Sequence, residues 1–211
     1  MSRPAARCSK KPSRPIPSIS SRRPARWPRS TPTSPTDAVE WSLTHFAAGL
    51  VFPDRAALWL LPLVAPVCLW VAWTDLTEMK IRNLAVAILL AIYALVGPLV
   101  LPFEFWAWGW LNFAVILLFG FFANMIGGLG AGDAKFMAAA APFIAVRDTM
   151  PVLMILSVML LASFALHRAA RGLGVGRRVG SGWVSWTSPR FPMGLALGPT
   201  LIVYLWLCAL G

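Results

Sequence analysis

Long apolar runs without charge constrain the fold of this chain more than any other feature. The first, AALWLLPLVAPVCLWVAWT, covers residues 56–74 without one Asp, Glu, Lys or Arg. At about 1.5 Å rise per residue, a helix of this length spans roughly 28 Å, close to the thickness of a bilayer core. Hydrophobic residues form 58% of the 211 residues and charged residues 13%, and the mean hydropathy is +0.68. These values exclude an ordinary soluble domain and favour a membrane protein.

Five further apolar segments follow the first one. We place them at residues 84–101, 105–126, about 133–146, 150–167 and about 192–210. Residues 41–55 are too short an apolar stretch to span a bilayer, so we expect them to lie at the membrane interface. The sequence therefore predicts an all-α, polytopic helix bundle of about six transmembrane helices, with the membrane domain over residues 56–211.

The first 40 residues differ from the rest in composition. They hold nine of the nineteen Lys and Arg residues, are rich in Pro and Ser, and show no apolar periodicity. Such a segment cannot bury enough apolar surface to fold by itself, so we expect disorder. We expect this basic leader to be dispensable or to result from a wrongly assigned start.

Loop charge predicts the orientation of the bundle, because loops rich in Lys and Arg stay in the cytoplasm. The basic loops are those between the first and second segments and between the fifth and sixth, with Lys80, Arg82, Arg168, Arg171, Arg177, Arg178 and Arg190. Six crossings then put the N-terminus outside the cell, whereas the basic charge of the leader would favour the cytoplasm.

The net charge of +11 indicates the topology of the chain and contact with anionic lipid. We find no folded basic module for nucleic acid.

The three cysteines indicate neither a metal site nor a disulfide framework. Cys8 lies in the leader, Cys68 and Cys208 lie in apolar runs, and no CxxC pair is present. We interpret them as packing residues and expect no metal and no cofactor.

Two acidic residues stand at the same predicted membrane edge. Asp75 closes the first apolar segment and Asp133 opens the fourth, so the two can meet if these segments pack together. Two carboxylates in close contact resist double ionisation and hold one proton between them. The ionised member can activate water while the protonated member polarises a carbonyl or protonates a leaving amine. This is the chemistry of aspartic peptide hydrolysis.

A glycine-rich stretch, GGLGAGDAKF, surrounds the second of these acids at residues 127–136. We expect its glycines to allow unusual backbone angles and a close approach of a second backbone, such as an extended substrate. Lys135 could orient a carboxylate or anchor an interface.

Three motifs resemble the prepilin peptidases, the GxGD aspartic proteases of bacterial and archaeal inner membranes. GAGDAK at residues 130–135 matches the GxGDxK signature, DLTEMKIRN at 75–83 is similar to the first-aspartate motif, and FPMGLALG at 191–198 resembles a late proline-glycine helix start. The resemblance covers about residues 56–210. Arg82 stands where the family has proline, which affects the first cytoplasmic loop more than the chemistry.

The resemblance implies the function. The catalytic pair is then formed by Asp75 and Asp133, with Lys80, Asn83, Gly130, Gly132 and Lys135 as motif and supporting residues. The implied reaction cleaves the short basic leader from type IV pilin-like precursors at the cytoplasmic face of the bacterial inner membrane. Many relatives add a methyltransferase module with paired cysteines, which this sequence lacks. It is therefore similar to the short peptidase-only form of Flp/Tad pilus systems, with pilin-like proteins and the lipid bilayer as partners and the oligomeric state open.

Two other functions remain open at this point. Intramembrane carboxylates also serve as proton relays in transporters, although transporter sites usually lie near mid-membrane, at broken helices. A non-catalytic membrane subunit of a pilus or secretion assembly would tolerate loss of both aspartates. We also expect His167 to be a membrane-edge residue, and Trp183 and Trp186 to rest on the inner membrane surface.

Overall fold

The computed structural model describes residues 35–173, 183–188 and 191–210. Over these residues the secondary structure is helical, without a strand. Two predicted regions lie wholly or partly outside the described residues. These are residues 1–34 of the leader, and the part of the second basic loop that contains Arg177, Arg178 and Arg190. Most of the glycines of that loop also lie outside them.

Eight α-helices occur in the described residues. They are α1 (Pro35–Ala48), α2 (Asp54–Glu78), α3 (Asn83–Val100), α4 (Phe103–Met125), α5 (Ala131–Ala140), α6 (Thr149–Gly172), α7 (Val184–Thr187) and α8 (Gly194–Leu210). Two 3-10 turns, Ala141–Phe143 and Val146–Asp148, connect α5 to α6.

Four helical stretches of the described residues are long and apolar enough to cross a membrane. They are α2, α3, α4 and the stretch Val146–Gly172 that contains α6. Helix α8 is apolar but shorter; its 17 residues reach the lower end of the length that spans a bilayer. The predicted all-α membrane bundle is confirmed.

The fourth predicted segment, residues 133–146, is not one helix. Helix α5 has ten residues, about 15 Å of length, and gives way to the 3-10 turn that contains Pro142. Proline has no N–H to continue an α-helical hydrogen-bond ladder, so the change of helix type here has a local cause. The chain crosses from one end of the bundle to the other as a broken segment rather than as a regular transmembrane helix.

The N-terminal boundary also differs from expectation. Helix α1 begins at Pro35, inside the segment predicted to be disordered, and includes half of the predicted interfacial stretch. Proline suits the first position of a helix, where its fixed φ is helical and no N–H is needed. Helix α1 packs against α8 through residues that include the buried Ala47.

Helices α2 and α8 form the centre of the bundle. They approach closely at Gly198, where an added Cβ would lie 2.5 Å from the carbonyl oxygen of Cys68. Helices α4 and α5 also approach closely, because a Cβ on Gly120 would meet the Cβ of Ala134 at 2.9 Å. Small residues allow such close packing where apolar surface alone gives no preference over lipid.

Asp148 connects three parts of the chain at the end of the bundle opposite Asp75. Its carboxylate is 1% exposed, accepts hydrogen bonds from the N–H groups of Val51 and Phe52 at 3.0–3.1 Å, and accepts one from the hydroxyl of Tyr204 at 2.7 Å. One carboxylate thus ties the turn before α6 to the chain that enters α2 and to α8.

Candidate active site

Asp75 lies in the last turn of α2, and its side chain is withdrawn from solvent with a residue exposure of 6%. The backbone N–H of Gly194, the first residue of α8, donates a hydrogen bond to Oδ2 of Asp75 at 2.6 Å. A Cβ at position 194 would lie 2.9–3.0 Å from three atoms of the Asp75 side chain. Glycine at this position therefore lets the start of α8 hold the carboxylate by its backbone.

Asp133 is in the first turn of α5 and is half-buried. The charge of Asp75 acts on its carboxyl group. The structure thus brings together the two acids that the sequence places 58 residues apart. They reach this position on different helices, one at the end of α2 and one at the start of α5.

Each of three glycines before Asp133 occupies a position where a side chain would be unfavourable, for a different local reason. Gly127 adopts φ 74°, which favours glycine, in the turn after α4. A Cβ at Gly130 would lie 2.6 Å from Oδ2 of Asp133, and a Cβ at Gly132 would lie 3.2 Å from the Cβ of Ile81. The last two glycines thus give space to the Asp133 carboxylate and to the loop after α2.

The remaining motif residues lie around the same end of the bundle. Lys135 donates a hydrogen bond from Nζ to Oδ1 of Asn83 at 3.2 Å, which joins α5 to the first residue of α3. Of the two roles considered for Lys135, the structure shows the interface anchor. Lys80 is exposed in the short loop between α2 and α3, and Met79 before it takes a left-handed conformation at φ 53°. Both residues belong to the sharp turn that follows Asp75.

Arg82, which stands where the family has proline, fits this turn through its backbone conformation and an ion pair. It pairs with Glu78 one helical turn earlier, with Nη2 and Oε1 2.7 Å apart. Both side chains are about half exposed, so the pair contributes little to stability. The turn thus forms without proline, because Arg82 is extended (φ −73°, ψ 131°) immediately before α3 begins.

An aromatic stack joins α7 to α6 and α2. His167, which we expect at the membrane edge, is buried and stacks on Trp186 with ring centroids 5.1 Å apart. Trp186 also stacks on Trp183, which packs edge-on against Trp73 of α2. The two tryptophans of α7 and its border therefore pack against α6 and α2, because their flat rings bury more area there than singly on a surface.

Gly194 is the site residue that the sequence reasoning did not select. The signal was present in FPMGLALG, where a proline two residues before a glycine marks a helix start. Its donor role depends on which carboxylate lies opposite, and only the packing of α8 on α2 determines that.

Two carboxyl groups form the centre of this candidate site. Both acids lie at one end of the bundle and are partly shielded from solvent, and one of them is oriented by a backbone amide. In the described part of the chain, no three His, Cys, Asp or Glu residues come together in a way that could hold a metal ion.

One comparison with known proteins gives a match. A model of the type IV leader peptidase family matches residues 62–166, an interval that contains both Asp75 and Asp133. Searches of curated proteins and of solved structures gave no match.

Proposed function

Since the chain belongs to the type IV leader peptidase family and is a membrane-embedded peptidase, we propose that it is an aspartic peptidase of the GxGD class. Asp75 and Asp133 form the catalytic pair. The substrates are type IV pilin-like precursors, as the family implies in general, and specifically those of Flp/Tad pilus systems. The enzyme removes their short basic leader at the cytoplasmic face of the bacterial inner membrane.

The meeting of two carboxyl groups from separate motifs carries this proposal. Asp75 and Asp133 lie at one end of the bundle, where the charge of Asp75 acts on the Asp133 carboxyl group, and the third motif supplies the amide that holds Asp75. Three motifs far apart in the chain therefore converge on one pair of acids. A structural role for either acid alone would not require this convergence.

The chemistry follows from the proximity of the pair. Because two adjacent carboxylates resist double ionisation, one proton is held between them. The ionised member takes a proton from a water molecule as that water attacks the scissile carbonyl carbon. The protonated member donates to the carbonyl oxygen and then, as the C–N bond breaks, a proton reaches the leaving amine. The N–H of Gly194 fixes Oδ2 of Asp75, and the N–H of Leu195 acts on the same carboxyl group.

The side of the reaction follows from charge. Lys80, Arg82, Arg168 and Arg171 lie in or beside the loops at the end of the bundle that carries the acids, and basic loops are retained in the cytoplasm. The same rule keeps a basic precursor leader on that side. The scissile bond and the acids can then meet without moving charge across the membrane.

Isosteric amide variants test the catalytic pair. We expect Asp75→Asn and Asp133→Asn each to abolish processing, by about 10³-fold or more, because neither acid can perform both proton transfers. Precursor and mature pilin are separated by gel mobility in cells that express each variant, and membrane insertion is checked by fractionation.

Asp148→Asn is the matched control, because it removes a buried charge at the other end of the bundle. Processing should continue in the fraction of this variant that folds. Full processing by either well-inserted active-site variant would refute the mechanism and would favour a transporter or a non-catalytic assembly subunit.

A further inference from the structure

A cavity of about 220 Å³ opens between α4, α5, α6 and α8. Its walls are apolar apart from four uncharged polar side chains, Asn112, Thr149, Thr200 and Tyr204. No charged residue lines it. Helix α6 forms one wall and packs mainly against α8. Most of its surface is exposed, because only 6% of the most apolar 18 residues in the stretch Val146–Gly172 are buried. The cavity therefore has one side that faces the lipid between α4 and α6.

The cavity wall on α5 begins about one helical turn from Asp133. On α5, Asp133, Met137 and Ala140 follow one another at spacings of four and three residues, and the last two line the cavity. Residues at this spacing share one face of a helix. Asp133 thus stands at one end of the face that forms the cavity wall.

Helix α8 also carries a site residue and cavity-lining residues on one face. Gly194, which binds Asp75, precedes Leu197, Leu201 and Tyr204 on one helical face, and these three line the cavity. The walls on α5 and α8 therefore both lead to the catalytic pair, one to each acid.

The dimensions determine what can enter. A whole helix is about 10–12 Å in diameter, so a cavity of this size takes side chains from a helix that lies along its lipid-facing side. From Leu197 to Tyr204 the α8 wall extends seven residues, about 10 Å. That length matches about two turns of a helix in the membrane.

The uncharged lining and its position select the occupant. No charge stands along the cavity, and its walls on α5 and α8 begin about one helical turn from Asp133 and Gly194, so an apolar segment that follows a bond held at the acids would lie against them. We propose that the cavity receives side chains from about two turns of the precursor's apolar segment, shortly after the scissile bond. This inference rests on the proposed function, and it gives α4, α5, α6 and α8 a role in positioning the substrate.

Filling the cavity mouth tests the inference. Val115 lines the cavity from α4 and is 55% exposed, so Val115→Trp adds bulk without disturbing the core. The matched control is Leu117→Trp on the same helix, at an exposed position outside the cavity lining. Two substrates are used: a precursor with a basic leader and a 20-residue apolar helix, and a soluble peptide that ends shortly after the cleavage site.

We expect Val115→Trp to lower kcat/KM for the precursor at least about tenfold, because a misplaced scissile bond is cleaved slowly. Cleavage of the soluble peptide should stay within about twofold of wild type, and Leu117→Trp should change neither. Equal effects on both substrates, or none on the precursor, would overturn the inference. Failure of the proposed function is a different result, in which the wild-type protein cleaves neither substrate or Asp133→Asn cleaves both.

Photo-crosslinking separates the precursor from lipid as the occupant. Benzoylphenylalanine replaces Leu153, which lines the cavity from α6, or Leu166, an exposed position further along α6 that does not. In the Asp133→Asn background, which retains the precursor, only position 153 should capture the precursor's apolar segment. Capture of lipid alone at position 153, or equal capture of the precursor at both positions, would contradict the assignment.

Discussion

Single atoms decide how Asp75 is held. The N–H of Gly194 lies 2.6 Å from Oδ2 of Asp75, and there is no room for a methyl group between the start of α8 and the carboxylate. The close approach, rather than backbone flexibility, is what requires glycine here.

Gly194→Ala should therefore displace the Asp75 carboxylate. We expect kcat to fall by about 10–100-fold with a small change in KM, because a displacement of about 1 Å at reacting groups can cost this much. Steady-state cleavage of the soluble peptide measures both constants. Gly172→Ala is the control, since a Cβ there meets no atom within 4 Å. A Gly194→Ala enzyme with wild-type kcat would show that the carboxylate tolerates the added methyl group.

Helix junctions show why similar acids have different roles. Asp75 and Asp133 stand at helix ends at one end of the bundle, whereas Asp148 lies between the chain that enters α2, the turn before α6, and α8. Its acceptor positions are occupied by two amides and a hydroxyl, so the carboxylate serves as a connector.

Asp148→Ala should lower stability and spare the chemistry. We expect the free energy of unfolding to fall by about 2–3 kcal/mol, because hydrogen bonds to a charged group contribute about 1.5–3 kcal/mol and buried N–H groups lose their acceptor. Thermal unfolding in detergent measures the loss, and peptide cleavage per folded molecule should remain near wild type. The exposed neighbour provides the control, Arg147→Ala. An unchanged melting temperature for Asp148→Ala would mean that these amides find other acceptors.

The whole molecule has two chemically different ends. The acids, Lys80 and the aromatic stack lie at one end, and Asp148, Glu104 and Arg147 lie at the other. A peptidase of cytoplasmic leaders needs the first end to face the cytoplasm.

Cysteine labelling can test this orientation in intact cells. In a variant without the three native cysteines, Glu78→Cys reports on the end with the acids and Arg147→Cys on the other end; both positions are exposed. A membrane-impermeant thiol reagent should label position 147 in intact cells and position 78 only after the membrane is opened. The reverse pattern would place the acids outside and would remove the positional support for leader cleavage.

The sequence by itself determined the class of fold and predicted a chemistry for the site. Apolar length dictated helices, because a bilayer core leaves no water for unpaired backbone groups. Segment positions agreed with α2, α3, α4, α6 and α8 to within a few residues. The pairing of Asp75 with Asp133 could be predicted, since charged residues at a membrane edge are few and their motifs are specific.

Only the tertiary structure decided which groups touch these acids. Backbone donors such as Gly194 carry no side-chain signal, so nothing local marks their target. The burial of His167 and the broken segment after α5 were also missed, because aromatic stacking on α7 and packing around Pro142 involve residues far apart in sequence or a change of helix type. The cavity between α4, α5, α6 and α8 is likewise a product of assembly: apolar helices do not exclude lipid from one another by hydrophobicity, so shape alone determines where they leave space.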